Sequence, residues 1–126
     1  MLFAINSKAE ENNIKYYSED SGILSLMYHR FNENKYPSTN IQMDIFKEQM
    51  SIINTLNYKF YDPQLLKKKI NITKNKKKIL ITIDDAFLSF YKIAWPYLKS
   101  KKIPFILFVS TEAVGKTGYM LSLIHI

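Results

Sequence analysis

The chain has 126 residues, of which 47% are hydrophobic and 23% are charged, so it is long and apolar enough to build a folded core. It contains no cysteine, which excludes disulfide frameworks, cysteine-ligated zinc and thiol nucleophiles. Its sequence has no apolar run near the roughly eighteen residues that a membrane-spanning helix needs.

The charge is strongly basic, but it is not of the kind that favours nucleic-acid binding. The formal net charge is +7, and Arg30 is the only arginine among the basic residues. Recognition of bases and phosphates uses the bidentate guanidinium group, so a surface dominated by lysine weakens that function class. The lysine runs at 67–69 and 76–78 indicate a solvated connection, with a polyanion-binding patch as the alternative. We therefore expect no nucleic-acid partner.

The first 21 residues are predicted to lie outside the folded domain. A short apolar stretch at 2–5 is followed by Ser7 and Ala9, small residues at the spacing that a signal peptidase accepts. We interpret 1–21 as the remnant of a signal peptide that lacks its beginning, followed by a polar leader. An ordinary irregular start is the alternative. Export to the periplasm or the cell surface is the expected localisation, with the cytoplasm as the alternative.

From Gly22 onward, strands and helices are predicted to alternate. The apolar run at 23–27 predicts a buried strand that ends in Tyr28, His29 and Arg30, and the polar segment 32–40 is typical of a loop. Apolar residues at three- and four-residue spacing then predict an amphipathic helix over about 42–56. A short strand is expected at 58–61, and one or two helical turns at 63–69.

The second half of the chain repeats this scheme more strongly. The β-branched run at 79–83 predicts a strand that leads directly into Asp84 and Asp85. A helix is expected over 87–101, with a kink or loosened turn at Pro96, and a further strand over 105–109. This alternation predicts an α/β protein with a parallel sheet, either open or closed as a barrel.

Several residues that could carry chemistry are placed at one edge of this sheet. In parallel α/β folds, functional groups collect at the carboxyl ends of the strands. His29, Asp84, Asp85, Ser110 and Thr111 all follow predicted strands. Two adjacent carboxylates after an apolar strand suit cation binding and proton transfer. The alternative is a helix cap and a solvated carboxylate for the Asp pair, and a hydrogen-bonded core side chain for His29.

The segment 110–117, with the sequence S-T-E-A-V-G-K-T, partly matches the phosphate-binding pattern G-x-x-x-x-G-K-[ST]. Ser110 replaces the first glycine, Glu112 places a negative charge inside the loop, and no helix is predicted after Gly118. A phosphate cradle needs glycine's backbone freedom and a following helix N-terminus. A nucleotide-binding module is therefore only a third hypothesis for this chain.

Three motifs together resemble the polysaccharide deacetylases, the family with NodB homology. They are L-M-Y-H-R at 26–30, I-T-I-D-D-A at 81–86 and I-P-F-I-L-F-V at 103–109, in the order and spacing of the family. The resemblance extends over about 22–120. The family signature T-F-D-D-G differs from this sequence at Ile83 and Ala86. Ala86 in place of glycine raises the question of how the tight turn after the Asp pair is made.

The resemblance implies the amino-terminal half of a distorted (β/α) barrel that removes N-acetyl groups from an amino-sugar polysaccharide. By position, Asp84 matches the general base and Asp85 the metal-binding aspartate of a divalent-metal site, with zinc as the usual metal. His29, Tyr28 and Arg30 are expected to contact the substrate or to support the site. The implied partner is an N-acetylated polysaccharide.

The two histidine ligands that the family supplies after a third strand-helix unit are missing from this sequence. Residues 121–126 can be encoded by the end sequence of a transposon adapter used for sequencing libraries, so we expect them to be an artefact and exclude His125 as a ligand. The sequence is thus interpreted as a truncated deacetylase domain at 22–120 that is inactive alone. The alternative is a catalytically inactive, glycan-binding domain with Tyr28, Tyr36 and Tyr119 as aromatic platforms.

Overall fold

The structure is a computed structural model that describes residues 22–67 and 77–120. The leader at 1–21 and the expected artefact at 121–126 lie outside the described residues. So does the connection 68–76, which contains three of the six lysines in the two runs.

A parallel sheet is centred on strand β5, Lys78–Ile83. All six residues of β5 pair with β1, Ile23–Tyr28. Strand β4, Lys59–Phe60, pairs with the start of β5, and β6, Phe105–Leu107, pairs with its end. Because β1 pairs along the whole of β5, β4 and β6 share the opposite edge of that strand. The predicted α/β class with a parallel sheet is confirmed.

The central position of β5 follows from its sequence. Parallel strands covered by helices are nearly continuous in apolar, β-branched residues. Ile79, Ile81 and Ile83 are at most 4% exposed and point toward the helices, whereas Thr82 points to the opposite face. On that opposite face Met27, which pairs with Thr82, remains 60% exposed. One face of the sheet is therefore covered by helices and the other is partly open.

Helix α1 spans Met43–Thr55, within one residue of the prediction at both ends. It buries Met43, Phe46, Met50 and Ile53 against the sheet. The apolar spacing predicted Phe46, Met50 and Ile53, but it also placed Ile45 and Leu56 on this face, and they are 46% and 55% exposed. The backbone N–H of Met43 donates to Oδ1 of Asn32 at 2.7 Å. This side chain satisfies one of the free donors that every helix N-terminus presents.

The second helix has the loosened turn that Pro96 predicted. A π-helical turn, Phe90–Ala94, runs directly into α2, Trp95–Ser100, and the N–H of Trp95 donates to the carbonyl of Phe90, five residues earlier. Pro96 has no N–H to give to the preceding turn, which favours this wider winding. Within this turn Phe90 and Ala94 are buried, whereas Tyr91 is 45% exposed.

One small element was not predicted. Strands β2, Arg30–Phe31, and β3, Asn40–Ile41, form a short parallel pair at the two ends of the segment that the sequence indicated as loop. Two backbone hydrogen bonds of 3.0 Å join the pair. The N–H of Arg30 donates to the carbonyl of Thr39, and the N–H of Asn32 donates to the carbonyl of Ile41. Short 3₁₀ helices occupy Pro63–Lys67 and Thr111–Ala113.

The core lies between the sheet and the two helices and is largely aromatic. Phe46 contacts Tyr28 and Phe31 edge-to-face, with ring centroids 4.9 and 5.1 Å apart. The ring of Phe90 packs on Phe105 of β6 at 5.3 Å, which places the second helix on the same face of the sheet as α1. The N–H of Phe31 donates to Oγ of Ser89 at 3.2 Å and so links β2 to the start of this helix.

Candidate functional site

The strand register brings the predicted site residues to one edge of the sheet. Tyr28, Ile83 and Leu107 are the last residues of β1, β5 and β6, and they lie side by side. The pairing continues past them, because the N–H of Asp84 donates to the carbonyl of Tyr28 at 2.8 Å. His29 and Asp84 therefore stand next to each other at the carboxyl edge, as the sequence predicted from their positions after the strands.

Alternation of side chains along the strands also puts His29 and Asp84 on a common face. Met27 pairs with Thr82 on the face away from the helices, and His29 and Asp84 each come two residues later. Oδ1 of Asp84 is buried and has no hydrogen-bond partner among the described residues. Buried carboxylate oxygens in native proteins are almost always paired, so an unpaired one marks a place where a further group is expected.

The turn after Asp84 has unusual backbone geometry. Asp85 and Ala86 have φ values of 64° and 49°, in the left-handed region that costs a residue with a Cβ about 1–2 kcal/mol. Ala86 is nevertheless only 1% exposed. Two backbone hydrogen bonds of 2.8 Å join the turn to the segment 118–120. The N–H of Met120 donates to the carbonyl of Ala86, and the N–H of Leu88 donates to the carbonyl of Gly118. The tight turn is thus made with alanine where the resembling family has glycine.

Arg30 lies beside this turn and not in open solvent. The central carbon of its guanidinium is 3.4 Å from the ring centroid of Phe87 and 4.0 Å from that of Tyr36. One guanidinium nitrogen donates to a carboxylate oxygen of Glu33 at 2.8 Å. The sequence reasoning named Arg30 but missed Glu33 and Phe87. The only sequence feature that could have indicated the contacts of Arg30 with Glu33 and Phe87 is that Arg30 is a single arginine among lysines and is followed by aromatic residues.

Tyr28 is directed away from the carboxylates. Its hydroxyl donates to Oε1 of Gln49 in α1 at 2.8 Å, and burial raises the pKa of this phenol to about 12. The ring also lines an apolar cavity of about 360 Å³ between β1 and the end of α1, together with Leu24, Leu26 and Leu56. In this structure the tyrosine therefore joins the strand to the helix.

The segment 110–117 does not form a phosphate-binding loop. Ser110 follows β6, but Thr111–Ala113 is a single 3₁₀ turn, and the Lys116 ammonium is bound by Glu112 at 3.1 Å. After Gly118, Tyr119 forms an antiparallel bridge with Phe87. Anion binding needs the free N–H groups of a helix N-terminus, and this local structure does not supply them.

Candidate metal ligands lie at the carboxyl edge, but the described residues do not form a complete metal site. Asp84, Asp85 and His29 are there, yet residues 22–67 and 77–120 contain no group of three or more His, Cys, Asp or Glu side chains that could hold a metal ion. A divalent-cation site with open coordination positions needs at least three protein ligands in the zinc hydrolases. Within the same residues, no helix is long and apolar enough to cross a membrane.

Comparison with solved structures shows what this fold is similar to. IcaB from Ammonifex degensii is 31% identical, with a TM-score of 0.66 over 79% of this chain and 44% of its own. The Streptococcus pyogenes deacetylase PplD, solved in complex with acetate, is 23% identical, with a TM-score of 0.65 over 80% of this chain and 49% of its own. A polysaccharide deacetylase from Bacillus cereus is 18% identical, with a TM-score of 0.62 over 79% and 33%.

No protein-family model matches the sequence, and no curated protein matches it either. The chain spans less than half the length of the solved structures named above. The described α/β unit, with its parallel sheet and two helices, therefore has a deacetylase-like fold and is similar to a part of those proteins.

Proposed function

We propose that this chain is the amino-terminal part of a metal-dependent polysaccharide N-deacetylase. The observation that carries the proposal is Asp84 at the carboxyl edge of the sheet, with one carboxylate oxygen buried and unpaired, next to Asp85 and His29. The likeness to solved deacetylases supports the same reaction class. The open sheet face around Met27 supports a larger (β/α) barrel, because a barrel would cover that face with further strands.

In the proposed reaction, water adds to the acetyl carbonyl carbon, the C–N bond breaks, and acetate and a free amine leave. Asp84 is the general base that takes a proton of the attacking water, and this proton passes on to the nitrogen as the C–N bond breaks, so that the amine leaves. A bound divalent cation, zinc by the resemblance, would supply Lewis acidity at this edge, with Asp85 as one ligand and the others from outside the described residues. His29, directly after β1, and Arg30, in β2, support the site from the adjoining segment of the chain.

We also propose the domain limits that the sequence suggested: a leader at 1–21 that belongs to an export signal, a deacetylase unit at 22–120 and a non-native end at 121–126. Export would bring the enzyme to acetylated polymer at the cell surface or in the periplasm. Sequencing the genomic locus tests these limits, because they require coding sequence that diverges from the present one after Met120.

The activity test is acetate release from a polymer of N-acetylglucosamine by the full-length gene product. Asp84→Asn and Asp85→Asn should each lower turnover by at least about a hundredfold, the usual loss for an acid–base or metal-positioning group. The matched control is Asp44→Asn, which changes an exposed carboxylate in the first turn of α1. Equal turnover in wild type and both site variants would refute the assigned roles.

A second function, glycan binding without catalysis, is favoured by one observation: the described residues hold no complete metal-ligand group. Tyr36 is 40% exposed and could present its ring to a sugar. Under this hypothesis the full-length protein binds the polymer without releasing acetate, and Tyr36→Ala weakens binding. Acetate release that depends on Asp84 would exclude it.

A further inference from the structure

Four planar side chains stack in a column beside the Asp84–Asp85 turn. The Arg30 guanidinium lies over the rings of both Tyr36 and Phe87, with its central carbon 4.0 and 3.4 Å from their centroids. The ring of Tyr119 continues the stack, with its centroid 4.9 Å from that of Phe87 and the planes 31° apart. We call Tyr36, Arg30, Phe87 and Tyr119 the Arg30 column.

The column joins three segments that are far apart in sequence. Arg30 belongs to β2, and Tyr36 to the loop between β2 and β3. Phe87 follows the left-handed Asp85–Ala86 pair directly, and Tyr119 bridges it from the segment 118–120. Aromatic contacts and the two backbone bonds around Ala86 therefore hold the same short turn from two sides.

The chemistry of arginine suits the centre of such a column. A guanidinium is flat and weakly hydrated, so it can stack on two rings and still donate hydrogen bonds in its plane. The Arg30 side chain is only 16% exposed, and one of its guanidinium nitrogens donates to Glu33 at 2.8 Å. Lysine carries the same charge but has no flat face. Nearby, Lys35 lies 5.7 Å from the Tyr36 ring and is not part of the stack.

We propose that Arg30 is a positioning residue for the carboxylate turn. By clamping Phe87, it holds the backbone of Asp85 and Ala86 in the left-handed conformation that presents the two carboxylates at the sheet edge. Stacking, and not the ion pair with Glu33, supplies this restraint. The consequence for catalysis rests on the proposed deacetylase function, whereas the restraint on the turn does not.

Amide hydrogen exchange on the 126-residue chain tests the restraint without any activity. The reporters are the N–H groups of Leu88 and Met120, whose bonds close the turn. Two other amides serve as references that report global opening. The N–H of Tyr61 donates to the carbonyl of Ile79, and the N–H of Ile103 donates to the carbonyl of Leu98. In Arg30→Lys, exchange at the two reporters should rise by roughly tenfold with the reference amides unchanged, as expected for loss of a partly desolvated cation–π contact.

Two further variants separate stacking from charge. Glu33→Gln removes the ion pair but keeps the column, so reporter exchange should change by less than about threefold. Tyr36→Ala shortens the column at its exposed end and should accelerate the reporters, whereas Tyr36→Phe and the control Lys35→Met should not. Wild-type protection of both reporters in Arg30→Lys and Tyr36→Ala would overturn the proposal. An equal effect of Glu33→Gln and Arg30→Lys would overturn it as well, because the ion pair would then be the anchor.

Acetate release by the full-length protein completes the test. If Arg30→Lys loosens the turn and wild type releases no acetate, the proposed function fails and the positioning role stands. If wild type is active and Arg30→Lys leaves both reporters protected, the positioning role fails and the function stands. When both hold, Arg30→Lys should lower the turnover number more than it raises the Michaelis constant, because the carboxylates and not the polymer contacts are displaced.

Discussion

Replacing Asp84 by asparagine should make the 126-residue chain more stable. Its Oδ1 is buried without a partner among the described residues, and an unsatisfied buried polar atom costs about 1–3 kcal/mol, more when it is charged. A neutral amide of the same shape removes the charged part of that cost. We expect Asp84→Asn to raise the free energy of unfolding by about 1–2 kcal/mol, at the expense of activity.

The size of the effect is within reach of thermal denaturation. With an unfolding entropy of about 2 cal/mol/K per residue, a chain of this length shifts its melting temperature by roughly 4 °C per kcal/mol, so Asp84→Asn should melt about 4–8 °C higher. Asp44→Asn is the matched control: Asp44 is exposed in the first turn of α1, where a negative charge favours the helix, so its loss should lower the melting temperature slightly. A lower melting temperature for Asp84→Asn would show that its carboxylate is satisfied, and would refute the reasoning.

Two other predictions concern groups that hold the site in place. Ser89→Ala leaves the buried N–H of Phe31 without an acceptor, so it should lower the free energy of unfolding in urea by about 1–3 kcal/mol. The control Ser100→Ala, at an exposed serine, should change that free energy by less than about 0.5 kcal/mol. Equal effects of the two variants would contradict the link between β2 and the second helix. The pKa of Tyr28 is raised to about 12 in the folded state, so its contribution to stability is complete below pH 10 and is lost as the pH rises from 10 through 12. The free energy of unfolding should fall by about 1–2 kcal/mol over this pH range, once solvent exposure of the ring is allowed for. Tyr28→Phe should show a smaller fall. Parallel curves of stability against pH for wild type and variant would contradict the assignment of this fall to Tyr28.

The regular elements of this fold were predictable because their causes are local. The apolar run at 79–83 predicted β5, and the spacing of Phe46, Met50 and Ile53 predicted α1. The loosened turn before α2 followed from Pro96, which lacks an N–H. Placing His29 and Asp84 at one edge needed only the rule that parallel strands end together, and the register agrees with it.

The features that the sequence did not predict depend on contacts between distant residues. The β2–β3 pair has only two residues in each strand, and its segment is rich in Asn, Pro and Ser, so local composition favoured a loop. The Arg30 column joins residues up to 89 positions apart along the chain, and no periodicity records it. Tyr28 was expected near the substrate, but whether its hydroxyl points to Gln49 or to the site depends on packing against α1.

The central claim is that Asp85 is a metal ligand and Asp84 the base beside it in a polysaccharide deacetylase. Its most direct test is the zinc content of the full-length gene product, measured after dialysis by elemental analysis on wild type, Asp84→Asn and Asp85→Asn. We predict about one zinc per chain in wild type and in Asp84→Asn, and its loss in Asp85→Asn, because only the last variant removes a ligand. Full-length protein without zinc, or one that keeps it in Asp85→Asn, would contradict the claim.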